Sequence, residues 1–169
     1  SKAFGNWSSI SARLHGTRMT GGVDARRAVF SKADVARADF SGADLSEADM
    51  LEATIVDSKL DGVRAKSVQF IKSTLTNLSL SGAQLDKCIF VQVNVDGADF
   101  RGVRMNDATF VECSGVGARF GGATLQGFRL VHRCRFPGAD FHGAILEKAN
   151  LRGTDLEGAD FAEATLEGA

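Results

Sequence analysis

From Phe30 onward a large apolar residue returns at every fifth position, and the residue two before it is almost always small, as in Ala28-Val29-Phe30, Ala33-Asp34-Val35, Ala38-Asp39-Phe40 and Ala43-Asp44-Leu45. In an α-helix this period would wind the apolar set around every side, and in a plain strand it would alternate between faces. Neither element could bury it. The chain must therefore turn a corner at a fixed interval and bring both residues inward each time.

The large position reads Phe30, Val35, Phe40, Leu45, Met50, Ile55, Leu60, Ala65, Phe70, Leu75, Leu80, Leu85, Phe90, Val95, Phe100, Met105, Phe110, Gly115, Phe120, Leu125 and Leu130. One extra residue near 131–133 shifts the frame, which resumes at Phe136, Phe141, Leu146, Leu151, Leu156, Phe161 and Leu166. Only Ala65 and Gly115 fail to fill it. The single proline and the absence of tyrosine fit a backbone whose N–H donors are needed throughout. Glycines such as Gly42, Gly62, Gly82, Gly97, Gly102 and Gly122 fall at the expected corners.

These pentads resemble the pentapeptide-repeat family, whose motif is A(D/N)LXX. Ala38-Asp39-Phe40, Ala98-Asp99-Phe100, Ala139-Asp140-Phe141, Ala149-Asn150-Leu151 and Ala159-Asp160-Phe161 match it closely. The resemblance implies an all-β fold, a right-handed quadrilateral parallel β-helix in which four pentads close one coil. Roughly seven coils stacked about 4.8 Å apart would make a rod on the order of 35 Å long. Phe70, Phe90 and Phe110 should then form one interior ladder, and Phe100, Phe120, Phe141 and Phe161 another, along a solid axis without a pocket.

The expected organisation is one solenoid over residues 23–169, with residues 1–22 as an N-terminal cap or degenerate coil. Ala12-Arg13-Leu14 and Thr17-Arg18-Met19 read as pentads out of frame, preceded by Phe4, Trp7 and Ile10. The chain starts at Ser1 and shows no cap after Leu166, so it reads as part of a longer protein. An uncapped last coil is a surface on which a second copy could stack.

No catalytic or cofactor-binding constellation emerges, and the expected class is non-enzymatic. Cys88, Cys113 and Cys134 each take the small inward position, where cysteine acts as a small hydrophobe and not as a metal ligand. An odd, buried set of thiols suits a reducing compartment, so the cytoplasm is the expected location. His15, His132 and His142 are scattered and read as surface residues. The segment Gly115-Val116-Gly117-Ala118-Arg119-Phe120 begins like a dinucleotide fingerprint but lacks the third glycine and the helix. No stretch is apolar for long enough to form a membrane-spanning helix.

Function must then lie on the outside. The residue after the large one on a single side reads Ser31, Leu51, Ile71, Val91, Val111, Val131 and Arg152, and Ile89 adds width beside it. Leu51, Ile71, Ile89, Val91, Val111 and Val131 thus form a candidate stripe for docking a partner protein or a second copy. The bland alternatives are that β-branched residues merely favour extended chain, or that the Phe4 to Ile10 segment covers the stripe.

The resemblance also implies activities. Some pentapeptide-repeat proteins imitate a DNA duplex and occupy the DNA site of gyrase or topoisomerase, which calls for acidity along the rod. Here the formal net charge is only −1, and Arg101, Arg104, Arg119, Arg129, Arg133 and Arg135 crowd the central stretch. Those arginines come without an aromatic platform, so direct nucleic-acid binding is not expected either. The degenerate pentads Lys87-Cys88-Ile89-Phe90-Val91, Thr109-Phe110-Val111-Glu112-Cys113 and Gly117-Ala118-Arg119-Phe120 are similar to the repeat regions of bacterial type VI secretion accessory proteins. That likeness implies an adaptor for effector loading, with export by such a system as a further possibility.

Overall fold

A corner every five residues is built from a residue in the left-handed region. Arg27, Lys32, Arg37, Gly42, Glu47 and Glu52 all have φ between 50° and 73°, and the series continues to Gly168. Each non-glycine in this conformation costs roughly 1–2 kcal/mol. Hydrogen bonds offset that cost: at the corner after Phe30, the Ala33 N–H closes the turn on the Phe30 carbonyl at 2.9 Å, and the Lys32 N–H reaches the Leu51 carbonyl of the next coil at 2.8 Å.

The computed structural model describes residue 13 and residues 15–169. It is a four-sided parallel β-solenoid. One side carries three-residue strands β1 (Asp49–Leu51), β2 (Gln69–Ile71), β3 (Ile89–Val91), β4 (Thr109–Val111) and β5 (Arg129–Val131), paired in parallel in that order. Met50, Phe70, Phe90, Phe110 and Leu130 lie directly over one another. The other sides are held by single bridges; one ladder runs through Asp24, Asp44, Arg64, Gln84, Arg104, Thr124, Ile145 and Thr165. Among the described residues there is no helix.

The register slips twice by one residue. Arg18 opposes Asp39 whereas Asp24 opposes Asp44, so the first extra residue falls at Gly21-Gly22, where both glycines have positive φ. Arg129 opposes Asn150 whereas Arg135 opposes Asp155, and there His132 and Arg133 are successively left-handed, with φ of 54° and 63°. Met19 is buried, whereas Phe4, Trp7, Ile10, Ala12 and Leu14 lie outside the described residues.

The interior is a stack of aromatic and aliphatic groups. Phe70, Phe90 and Phe110 lie ring over ring, with centroids 4.7 and 4.1 Å apart. A second column joins Phe100, Phe120, Phe141 and Phe161 at 4.7, 4.9 and 4.9 Å. Narrow apolar seams of about 10 Å³ remain along the axis; one touches Ala65, where the large position is short of atoms. At Gly115 the space is taken by Phe136 from the next coil: a Cβ added there would sit 2.1 Å from its ring. Phe128, at a small position, is also buried and packs 5.4 Å from Phe110.

Cysteine and serine at the small position do more than fill space. On the stranded side several turns lack their closing bond, and a side chain from the next coil replaces it. Ser73 Oγ donates to the Met50 carbonyl and accepts the Ala53 N–H at 3.2 Å. The Cys113 thiol donates to the Phe90 carbonyl and accepts the Val93 N–H; the Cys134 thiol does the same for Phe110 and Cys113. The plain-hydrophobe reading of these cysteines is therefore incomplete. Burial pushes the Cys88 thiol up to about 12, and hydrogen bonding to Cys134 together with burial also raises Cys113.

Gly115→Ala should destabilise the protein by about 1–3 kcal/mol through overpacking against Phe136. A Gly115→Ala/Phe136→Leu double variant should recover part of the loss. Chemical denaturation of the set checks this, and a neutral Gly115→Ala would contradict the packing described.

Candidate functional site

The outward face of β1–β5 presents two files. Leu51, Ile71, Val91, Val111 and Val131 stand in register, each paired with the next across adjacent strands. All five are half-buried by their neighbours. Parallel to them run Asp49, Gln69, Ile89, Thr109 and Arg129, and Ile89 is the large apolar residue that protrudes, at 40% exposure. The structure thus brings Leu51, Ile71, Ile89, Val91, Val111 and Val131 onto one surface. A shallow concavity of about 500 Å³ opens at its lower end, lined by Glu47, Asp49, Leu51, Ser67, Gln69 and Ile71. The outside is therefore less featureless than a rod without pockets.

A corner file flanks the apolar one: Lys32, Glu52, Lys72, Gln92 and Glu112, followed by His132 and Arg133 at the register slip. Within it Lys32 approaches Glu52 at 3.8 Å and Gln92 donates to Glu112 at 2.8 Å. The face is acidic around β1 and basic around β5, where Arg129, Arg133 and Arg152 gather. Among the described residues, Lys72, Arg129 and Arg133 form no ion pair.

The aspartates that recur before the large position are committed to the backbone. Oδ1 of Asp39, Asp44, Asp49, Asp99, Asp140 and Asp160 each accepts the N–H two residues on, at 2.8 to 3.1 Å. Asp61, Asp86 and Asp96, which follow the large residue and so stand two positions later in the pentad, accept N–H groups from the next coil instead. These rows tie corners together; sequence spacing alone shows only that they point outward.

Asp99 is the most enclosed, 7% exposed, and takes Arg101 at 2.7 Å and Arg119 at 3.2 Å. The Arg101 guanidinium holds its carboxyl below the usual range, against burial. A hydrogen bond from Arg26 brings Asp24 down to about 2. Asp39 is lowered by its bonds from Ser41; at Asp44 burial pulls upward, but bonds from Ser46 and Arg64 prevail. His15 pairs with Asp34 at 2.6 Å and His142 lies 3.7 Å from Glu163, all exposed. Among the described residues no three His, Cys, Asp or Glu side chains gather as a metal site, and no helix is long and apolar enough to cross a membrane.

Residues 26–64 match the sequence-family model described as pentapeptide repeats (8 copies), and residues 83–161 match the one described as pentapeptide repeat region. The chain belongs to the pentapeptide-repeat family. No curated protein matches it. Among solved structures of the family it is similar to HetL, a pentapeptide-repeat protein involved in heterocyst differentiation regulation from the cyanobacterium Nostoc sp. strain PCC 7120. Identity is 25%, coverage is 95% of this chain and 90% of HetL, and the TM-score is 0.52. It is also similar to QnrB1, a plasmid-mediated fluoroquinolone resistance protein, at 15% identity, with 94% and 87% coverage and a TM-score of 0.53. The QnrB1 likeness is one of fold.

Carboxylates whose folded pKa lies below the unfolded value stabilise the fold above about pH 4, and that contribution disappears as pH falls through the folded value. Thermal stability should therefore be level above about pH 5 and fall between about pH 4 and 2. Asp99→Asn keeps the acceptor for the Arg101 N–H but loses the charge, so it should cost about 1–2 kcal/mol at neutral pH and flatten the acid limb. Melting curves across pH check both; an unchanged acid limb would remove Asp99 from this role.

Proposed function

We propose that this pentapeptide-repeat protein is a non-enzymatic interaction rod, and that the stranded face is its docking surface. The observation that carries the reading is the file Leu51-Ile71-Val91-Val111-Val131, a column of apolar side chains on a rigid sheet, with Ile89 raised beside it. The corresponding outward files on the other sides are mixed, for example Ser41, Asp61, Ser81, Arg101 and Gly121. Fold stability does not call for valine and isoleucine at outward positions when serine and arginine serve there on a neighbouring side. A continuous apolar column bordered by charge favours contact with another protein surface.

The finer role as a secretion adaptor rests on the resemblance of the degenerate pentads alone, and copurification with secretion-spike components is its direct test. Gyrase or topoisomerase protection is the competing activity implied by the family. The arginines at Arg101, Arg104, Arg119, Arg129 and Arg135 interrupt every side of the central coils, and a duplex imitation calls for acidity there. A supercoiling assay with the protein present decides that reading: protection of gyrase from drug, or inhibition of it, would favour the imitation.

Val91→Lys/Val111→Lys should leave the fold intact, since both side chains point outward, and should reduce self-association or partner capture by at least about tenfold. Unchanged assembly state together with unchanged partner capture would refute the docking role of the face.

A further inference from the structure

The charge pattern on the stranded face is self-complementary, and we infer that its occupant is a second copy of this chain, packed face to face with the two rods antiparallel. The inference rests on the docking role of the face and names its partner.

The geometry follows from symmetry. A two-fold axis lying in the interface along β3 reverses the order of the strands but keeps position along each strand, so β1 of one copy meets β5 of the other and β2 meets β4. Leu51 then faces Val131, Ile71 faces Val111, and Val91 and Ile89 each face their own counterparts. Asp49 faces Arg129. On the adjoining corner Glu52 faces Arg133 and Lys72 faces Glu112. Each pairing occurs twice in a symmetric dimer. Lys72, Arg129 and Arg133, which form no ion pair within the described chain, all find a carboxylate this way.

The other two-fold arrangement, with the axis along the rod, fails on the same residues. It keeps each coil opposite itself and reverses position along the strand, so Leu51 meets Asp49 and Val131 meets Arg129. Apolar groups would be set against charges at both ends. The antiparallel arrangement has adverse contacts only on its far edge, where Lys87 meets its counterpart and Lys148 meets Arg27, and Arg27 is already paired with Glu47 at 2.9 Å.

A face about 35 Å long and about 18 Å wide buries roughly 600 Å² per copy, or about 1,200 Å² in all, the lower end of specific interfaces. The dimer should accordingly be reversible, populated at tens of micromolar (roughly) and weakened by salt.

Sedimentation velocity and small-angle X-ray scattering of the full chain from about 5 to 200 µM test this. The expected result is a monomer–dimer equilibrium whose dimer is no longer than about 45 Å, against about 70 Å for coaxial stacking. Glu52→Arg and Arg133→Glu, each alone, should weaken dimerisation by about tenfold, and the double exchange should return it to within about threefold of the native value. Both sites are corners where arginine and glutamate already occur, so melting temperatures should hardly change. Val91→Lys at the axis should abolish the dimer.

A chain that stays monomeric at the highest concentration, an elongated dimer, or a charge exchange that fails to rescue would each overturn the inference. A monomer that still loses capture of a defined partner through Val91→Lys/Val111→Lys would overturn the dimer but leave the docking face standing. Dimerisation and partner capture both indifferent to that double variant would remove both.

Discussion

The left-handed residue at every corner is the constraint on which the rest depends. It turns the chain after each three-residue side, and its own N–H points along the rod to the coil beyond, as Lys32 does to Leu51 and Lys72 to Val91. Turning and stacking are therefore one event. That coupling explains how residues such as Arg27, Lys32 and Glu47 are held in a conformation that each disfavours alone.

Side chains reinforce the same backbone from two directions. Outside, the aspartate before the large residue receives the N–H beyond it, so the acidic letter of the repeat is a turn device before it is a surface charge. Inside, Ser73, Cys113 and Cys134 supply the bond that the turns on the stranded side lack. Buried polar groups are tolerated in this core because each sits one coil above the carbonyl it serves. The cost of an unmatched position is likewise met by the next coil, as when Phe136 occupies the space left by Gly115.

The fold was legible because one period controls burial, corner position and stacking. Once Phe70, Phe90 and Phe110 share a phase, their superposition requires no further information. The outward column through Val91 was legible for the same reason. What the sequence withheld were relations across coils whose partners have no fixed spacing rule: the thiol of Cys134 reaching Phe110, the enclosure of Asp99 by Arg101 and Arg119, and the ring of Phe136 crossing to Gly115. Residue type hinted at each, but only stacking distance decides which carbonyl, guanidinium or void is in reach. The charge gradient from Asp49 to Arg129 was hidden differently, because it becomes a pattern only when strands are lined up along one side.

The two register slips carry a consequence for where such a molecule can accept an extra residue. At His132 and Arg133 the superfluous residue is absorbed by a second left-handed step, and the ladders above and below resume in phase. A one-residue insertion at a vertex is therefore a local fault that heals within one circuit. A corner thus takes up an extra residue without altering the height, axis or cross-section of the rod, and added height calls for a whole circuit of four pentads.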